Sequence, residues 1–188
     1  SAESAAKTTL ASLDQPDTVD VGSWNVEWYG ATDHGPTDEA RQQANVAAVL
    51  NGLDLDVVGL VEVVSETAFH ELLAKLPGYD GLLATDPRVE GGASYYSANE
   101  QKVALVFKKR FTVESARLVA TDAQWSFAGR PPLEVQLSFT ERGHARTLVV
   151  VVLHMKAMAN EDGWSRRTTA SAALKSHLDA AWPTRWVL

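Results

Sequence analysis

A chain of 188 residues with 45% hydrophobic and 22% charged residues has the make-up of a globular protein and is long enough to bury a core. Its net charge of −7 excludes a broadly basic surface that holds nucleic acid by counterion release, and the lack of cysteine excludes disulfides and thiolate metal sites. Any metal must be held by oxygen or imidazole, and the apolar run Leu148 to Leu153 is far shorter than the roughly 18 residues a membrane-spanning helix needs.

The opening SAESAAKTTLASLDQPD is small, polar and aperiodic, so residues 1–17 are expected to form a flexible tail. Such a stretch suits a linker left after export processing as well as a frayed terminus, and export is slightly favoured. Thr18 to Trp24 predicts a first strand that stops at Asn25, followed by a Gly-, Asp- and Pro-rich loop. Asp38 to Leu50 predicts a helix with apolar Ala40, Ala44, Ala47, Ala48 and Leu50, Thr37 as N-cap and Gly52 past its end. Asp56 to Val64 follows as a buried strand, and Ser65 to Leu76 as a helix stopped by Pro77-Gly78. Strand, helix, strand, helix implies a crossover unit and a partly parallel sheet.

Ala84 to Glu100, rich in Gly and Ser, reads as a long surface loop. Lys102–Phe107, Thr112–Val119, Leu133–Phe139 and Thr147–Leu153 read as strands of an antiparallel second half, with Glu141-Arg142-Gly143-His144 as a hairpin connection. Ser165 to Trp182 predicts a last helix capped by Ser165, after which residues 185–188 look like a strand entering the core. No repeat or internal linker divides residues 18–188. A chain that stops on the first residues of an apolar strand is expected to have lost its continuation, a natural edge strand being the alternative.

Three polar residues stand where apolar strands end: Asn25 after VGSW, Glu62 within DVVGLVEV and His154 after LVVVVL. If those strands run in one sense, their ends meet at one sheet edge, the usual place for an α/β site. A carboxylate in a strand as apolar as that of Glu62 costs several kcal/mol to bury unless a cation or donors compensate, and a hard divalent ion supplies that compensation. An acid that faces water or pairs with Arg or Lys is the alternative reading of the spacing. Asn25 suits a local turn hydrogen bond, and His154 taken alone suits a structural histidine.

Lys156, two residues beyond His154, shares its face if the strand continues. Arg130, held rigid by the two prolines after it, can aim its guanidinium at a fork-shaped anion or serve as a plain loop arginine. Arg166 and Arg167, placed in the first turn of the last helix, oppose its dipole and hint at an anionic partner. His34, His70, His144 and His177 have no partner at metal-ligand spacing and read as structural. Trp125 and Trp164 fall in expected loops that could line a substrate groove.

In order, GSWNVEWYG, LDVVGLVEV, QKVALVFKKR, RPPLEVQL, VVVLHMKA and the helix with paired arginines resemble the endonuclease/exonuclease/phosphatase superfamily over nearly all of residues 19–188. The resemblance implies an α/β (α+β) four-layer sandwich, with two mixed, largely antiparallel sheets flanked by helices, of which this chain supplies the N-terminal part. It implies that Glu62 binds a catalytic Mg2+ (Mn2+ or Ca2+ as alternatives), with Asn25 positioning metal and phosphate. His154 would contact the scissile phosphate or assist the leaving group. Arg130 and Tyr96 match substrate-side positions more loosely, and Glu100 or Gln101 would orient the histidine; Lys156, from its spacing to His154, is expected to add positive charge near the phosphate.

The family's G-D-x-N motif and terminal Asp-His pair are absent from the sequence, so the chain alone is expected to be inactive until a C-terminal remainder or second chain completes it. Glu27 stands where the deoxyribonuclease branch has a basic residue. The expected activity is divalent-metal hydrolysis of phosphate esters, foremost as a phosphodiesterase or nuclease acting on nucleic acid. A phospholipid or inositol-phosphate head group is the alternative substrate, and a non-catalytic binding module the alternative class.

Overall fold

The computed structural model describes residues 10–15 and 17–183. Its elements run β1 (Val21–Tyr29), α1 (Glu39–Leu53), β2 (Val57–Val63), α2 (Glu66–Ala74), β3 (Tyr79–Leu83), α3 (Gly92–Tyr95), β4 (Lys102–Lys108), β5 (Thr112–Leu118), β6 (Leu133–Glu141), β7 (His144–Val152) and α4 (Glu161–Ala181). A single 3-10 turn, Thr121–Ala123, lies between β5 and β6.

The first sheet has the order β1-β2-β4-β3. β1 and β2 are parallel, joined through α1, while β2–β4 and β3–β4 are antiparallel, so this sheet is mixed as expected. The second sheet, β5-β6-β7, is antiparallel throughout, so only one of the two expected mixed sheets is mixed. Between β6 and β7 the reason is local. Arg142 and Gly143 both have positive φ, 47° and 77°, and Glu141 pairs with His144, which is the two-residue turn whose twist suits a hairpin.

β2 is buried on both faces because it is central: Val57 and Val61 face the second sheet, and Val58 and Leu60 face the helices. The first core joins Val57, Leu105 and Phe107 to Leu133, Val135 and Val150 across the two sheets. At Gly59 a Cβ would come within 3.3 Å of the Val152 side chain, so the missing side chain lets β7 approach β2. A second core packs Val58, Leu60 and Val106 against Leu50 of α1 and Phe69 and Leu72 of α2. On α1 the buried stripe is Val46, Ala47 and Leu50, while Ala44 and Ala48 face solvent.

The last helix reaches the far face of the second sheet. Leu133 and Val135 of β6 point into the intersheet core, so Glu134 points away from it and meets α4. Its Oε2 lies 2.7 Å from His177 Nε2 and accepts from Trp182 Nε1 at 2.8 Å, and Arg117 Nε donates to Oε1 at 2.8 Å. Buried Glu134 thus ties α4 and β5 to β6.

Several boundaries differ from the sequence expectation. β1 extends to Tyr29, and β3 and α3 fall in stretches assigned no strand or helix. Asp38, not Thr37, caps α1, since its side chain accepts from Arg41 N at 2.9 Å, and the helix ends at left-handed Asp54 rather than at Gly52. α4 starts four residues before Ser165: Asn160 caps it by accepting from Gly163 N at 2.8 Å, and Glu161 and Asp162 occupy the first turn, where the helix dipole favours acids. Arg166 and Arg167 therefore lie beyond the first turn, and the hint of an anionic partner drawn from that placement falls away. The strand expected at residues 185–188 lies outside the described residues, as do residues 1–9. Within the expected tail, Leu13 N donates to Leu53 O at 2.8 Å and Asp14 meets Lys108 at 2.8 Å.

Candidate metal and phosphate site

Where β1 and β2 end side by side, both leave regular strand geometry. The pairing shifts register between Asn25 and Tyr29 on one strand, and between Val61 and Val63 opposite β4 on the other. Glu27 and Trp28 both have φ of 51°, and Glu62 has φ of 68°, left-handed values that cost a side-chain-bearing residue about 1–3 kcal/mol. Such bulges re-aim side chains. Here the bulge turns Glu62 out of an otherwise buried strand.

Asn25 Oδ1 accepts from Glu27 N at 2.9 Å, which leaves Nδ2 to donate to Glu62 Oε1 at 2.8 Å. Trp28 N donates to Glu62 Oε2 at 3.3 Å. From α1, Gln42 Nε2 donates at 2.7 Å to both Val26 O and Glu27 O and so pins the β1 bulge. Among the described residues, no Lys or Arg nitrogen lies within ion-pair distance of the Glu62 carboxylate.

His154, two residues past β7, brings Nε2 to 3.5 Å from Glu62 Oε1. On its other side Arg130 Nη1 stands 3.0 Å from His154 Nδ1 and donates to Gln101 Oε1 at 2.6 Å. A guanidinium only donates, so Nδ1 accepts, and the neutral ring carries its proton on Nε2, toward Glu62. Burial, reinforced by the Arg130 charge and opposed by Glu62, holds the His154 pKa below its ordinary value. The neutral donor form is favoured.

The structure brings Asn25, Glu62, His154 and Arg130 together, through the Asn25–Glu62 and Arg130–His154 hydrogen bonds and the 3.5 Å approach of His154 to Glu62. Tyr96 stands behind this group: the ring is buried, its hydroxyl donates to Pro131 O at 2.8 Å, and burial pushes its pKa up. Lys156 is half-buried at the rim, with its carbonyl accepting from Arg167 at 2.9 Å. Neither candidate for orienting His154 touches it. Gln101 acts through Arg130, and the Glu100 carboxylate accepts from Ser97 Oγ at 3.4 Å. A cavity of about 600 Å³ borders the site, walled by Trp28, Asp33, His34, Ser65, Glu66 and Ala98.

No family model matches the sequence, and no curated protein matches it. Solved structures do match. D. rerio TDP2 complexed with a single-strand DNA product superposes with TM-score 0.59 at 17% identity, covering 86% of this chain and 54% of that one. The human Nocturnin catalytic domain with bound sulfate gives TM-score 0.58 at 21% identity, covering 87% and 58%. A β-hairpin deletion mutant of beta toxin from Staphylococcus aureus gives 0.61 at 15% identity, covering 90% and 63%. The chain carries part of the endonuclease/exonuclease/phosphatase fold. It spans between 54% and 63% of the length of these three relatives.

Within this endonuclease/exonuclease/phosphatase scaffold, one site residue escaped the sequence reading. Lys102 looks like a strand residue, yet its side chain is fully buried. Its backbone pairs with Val63, next to the bulge, and Nζ donates to Val64 O at 2.8 Å, Ala98 O at 2.7 Å and Glu100 O at 3.3 Å. Lys102 thus clamps the segment that presents Gln101 to the strand end that presents Glu62. Burial, only partly offset by Glu66 and Glu100, lowers its pKa. The signal in the sequence was a lysine preceding an unbroken apolar run.

A second acidic group lies at the opposite end of the sheet. Oxygens of Asp14, Asp20 and Asp56 fall within 4.8 Å of one another, but Lys108 reaches Asp14 at 2.8 Å and Asp56 at 3.5 Å, and Arg110 reaches Asp56 at 2.8 Å. Lys108 and Arg110 offset part of this charge, while Asp20 pairs with neither of them. Glu62, in contrast, has no Lys or Arg partner among the described residues.

Proposed function

We propose that this chain is the metal- and phosphate-binding part of a divalent-metal-dependent phosphate-ester hydrolase, a phosphodiesterase or nuclease built as a four-layer sandwich. The observation that carries the reading is the meeting of Asn25 from β1, Glu62 near the end of β2 and His154 just past β7, which brings residues of both sheets together. The donor set fits a hard cation: Glu62 offers a half-buried carboxylate oriented by an amide and a backbone N–H, with no cationic side chain beside it among the described residues. Glu62 would hold Mg2+, with Mn2+ or Ca2+ as alternatives, and the bound ion would supply Lewis-acid polarisation of a phosphorus-bound oxygen.

The chain's own residues do the rest. Asn25 fixes the carboxylate. His154 presents Nε2–H as a neutral donor to a non-bridging phosphate oxygen, where charge grows during in-line attack. Arg130 holds that ring in place and adds positive charge behind it, and Lys156 supplies a second cation at the rim. The resemblance implies an acid–amide pair and an Asp–His pair as further parts, so the chain alone is proposed to bind metal and phosphate without turnover.

Calorimetric titration of Mg2+ or Mn2+ into the wild type and Glu62→Gln tests the reading, followed by bis(p-nitrophenyl) phosphate binding to the wild type and His154→Ala. Expected are loss of metal binding in the first variant and weaker phosphodiester binding in the second. Metal affinity unchanged by Glu62→Gln would remove the proposal. A panel of DNA, sphingomyelin and inositol phosphates, run on a C-terminally extended chain, identifies the substrate.

A further inference from the structure

Apart from Leu10, Leu13 and Val21, the exposed large hydrophobic residues among those described are Trp125, Met158 and Trp164, at 71%, 61% and 65% exposure. Of these, Trp125 packs against α4. Arg166, two residues after Trp164, lies flat on the Trp125 ring at 4.1 Å and donates through Nε to Trp125 O at 3.0 Å and through Nη2 to the same oxygen. Arg167 donates to Met158 O at 2.8 Å. Both segments lead into the site: Trp125 lies inside the turn that Gly129 N closes on Gln124 O, one residue before Arg130, and Met158 follows His154 by four residues.

An exposed indole held by a guanidinium is a poor arrangement for stability and a good one for recognition, since a surface seldom leaves so much of a tryptophan in water. Arg166 covers one face of Trp125 and leaves the other open. An indole backed by a cation and offered flat to solvent suits a planar aromatic partner. A lipid surface fits less well, because Asp122, Glu161 and Asp162 stand in the same segments, and Arg166 Nη1 lies 3.8 Å from Asp162, so insertion would bury charge.

We propose that Trp125, backed by Arg166, is a stacking platform for an unpaired base of a phosphodiester strand. The inference rests on the reading of Glu62 and His154 as the phosphate site, which it deepens by naming a base-bearing single strand as the ligand. The platform holds one base next to the phosphate seated at His154, so binding depends on bases without depending on their sequence.

The test measures binding of hexathymidylate and of an abasic strand of equal length, with Mg2+, by tryptophan fluorescence and calorimetry. Wild type, Trp125→Ala, Trp125→Phe and Glu62→Gln are compared, and phosphatidylcholine vesicles form a separate arm. Expected is tighter binding of the base-bearing strand, a loss of roughly five- to a hundredfold in Trp125→Ala with the abasic strand unaffected, and partial rescue in Trp125→Phe. Equal affinity for the two strands, an unaltered Trp125→Ala, or a response to vesicles without one to strands overturns the platform. Loss of Mg2+-dependent abasic binding in Glu62→Gln reports on the phosphate site separately. If that arm fails while the base preference persists, the phosphate reading falls and the platform stands.

Discussion

Arg130 donates to the Nδ1 of His154 across 3.0 Å, and that contact settles which ring nitrogen faces Glu62. The arginine is only 7% exposed, and its Nε has no hydrogen-bond partner among the described residues. A buried guanidinium that orients a ring would act on a phosphate at the proposed site through the histidine, which differs from the direct phosphate fork that the sequence suggested.

Replacing Arg130 with Met frees Nδ1. Nitrogen-15 NMR of the wild type is expected to show His154 protonated at Nε2, and Arg130→Met a mixture of tautomers with phosphodiester affinity reduced roughly tenfold. An unchanged ring spectrum would remove the orienting role.

Position 62 tests backbone strain. Glu62→Ala and Glu62→Gly both lose the hydrogen bonds to Asn25 and Trp28, but only Ala keeps a Cβ at φ of 68°. Gly is expected to be the more stable of the two by about 1 kcal/mol in chemical denaturation, reversing the order usual within a strand. Ala at least as stable as Gly would show that the bulge is unstrained.

Lys102→Met keeps the buried stem and deletes the ammonium, leaving three carbonyls without their donor. Stability should fall by about 2–4 kcal/mol, and hydrogen exchange should accelerate across residues 97–101 and near His154. Exchange confined to β4 would argue that the clamp does not reach the site.

Glu134 sets an acid limit on the docking of α4. Burial pulls its pKa up, but the His177, Trp182 and Arg117 contacts outweigh burial and hold it below the usual 4.5. The unfolded chain therefore takes up the proton first as pH falls, so the stabilisation is complete above about pH 4.5 and is lost as pH falls toward the folded value. Helix exchange measured between pH 6 and 3 should accelerate in that window. Glu134→Gln should flatten the dependence and cost about 2–4 kcal/mol at neutral pH. A pH profile identical in the two proteins would contradict this.

Periodicity and burial cost were legible in the chain itself. The apolar runs before Glu62 and His154 marked where β2 and β7 approach their ends, whereas β1 continues past Asn25 to Tyr29, and an acid in DVVGLVEV demanded compensation wherever the strand lay. The caps were misplaced because Thr37 and Ser165 are as good cap residues as Asp38 and Asn160, and only the backbone path decides which side chain reaches the free N–H groups. Lys102, the Arg130–His154 contact and the Trp125–Arg166 stack were decided by tertiary structure alone. Each joins residues 24 to 41 positions apart, or gathers carbonyls from two segments, and pairwise distance between remote residues is set by how sheets stack, not by local pattern.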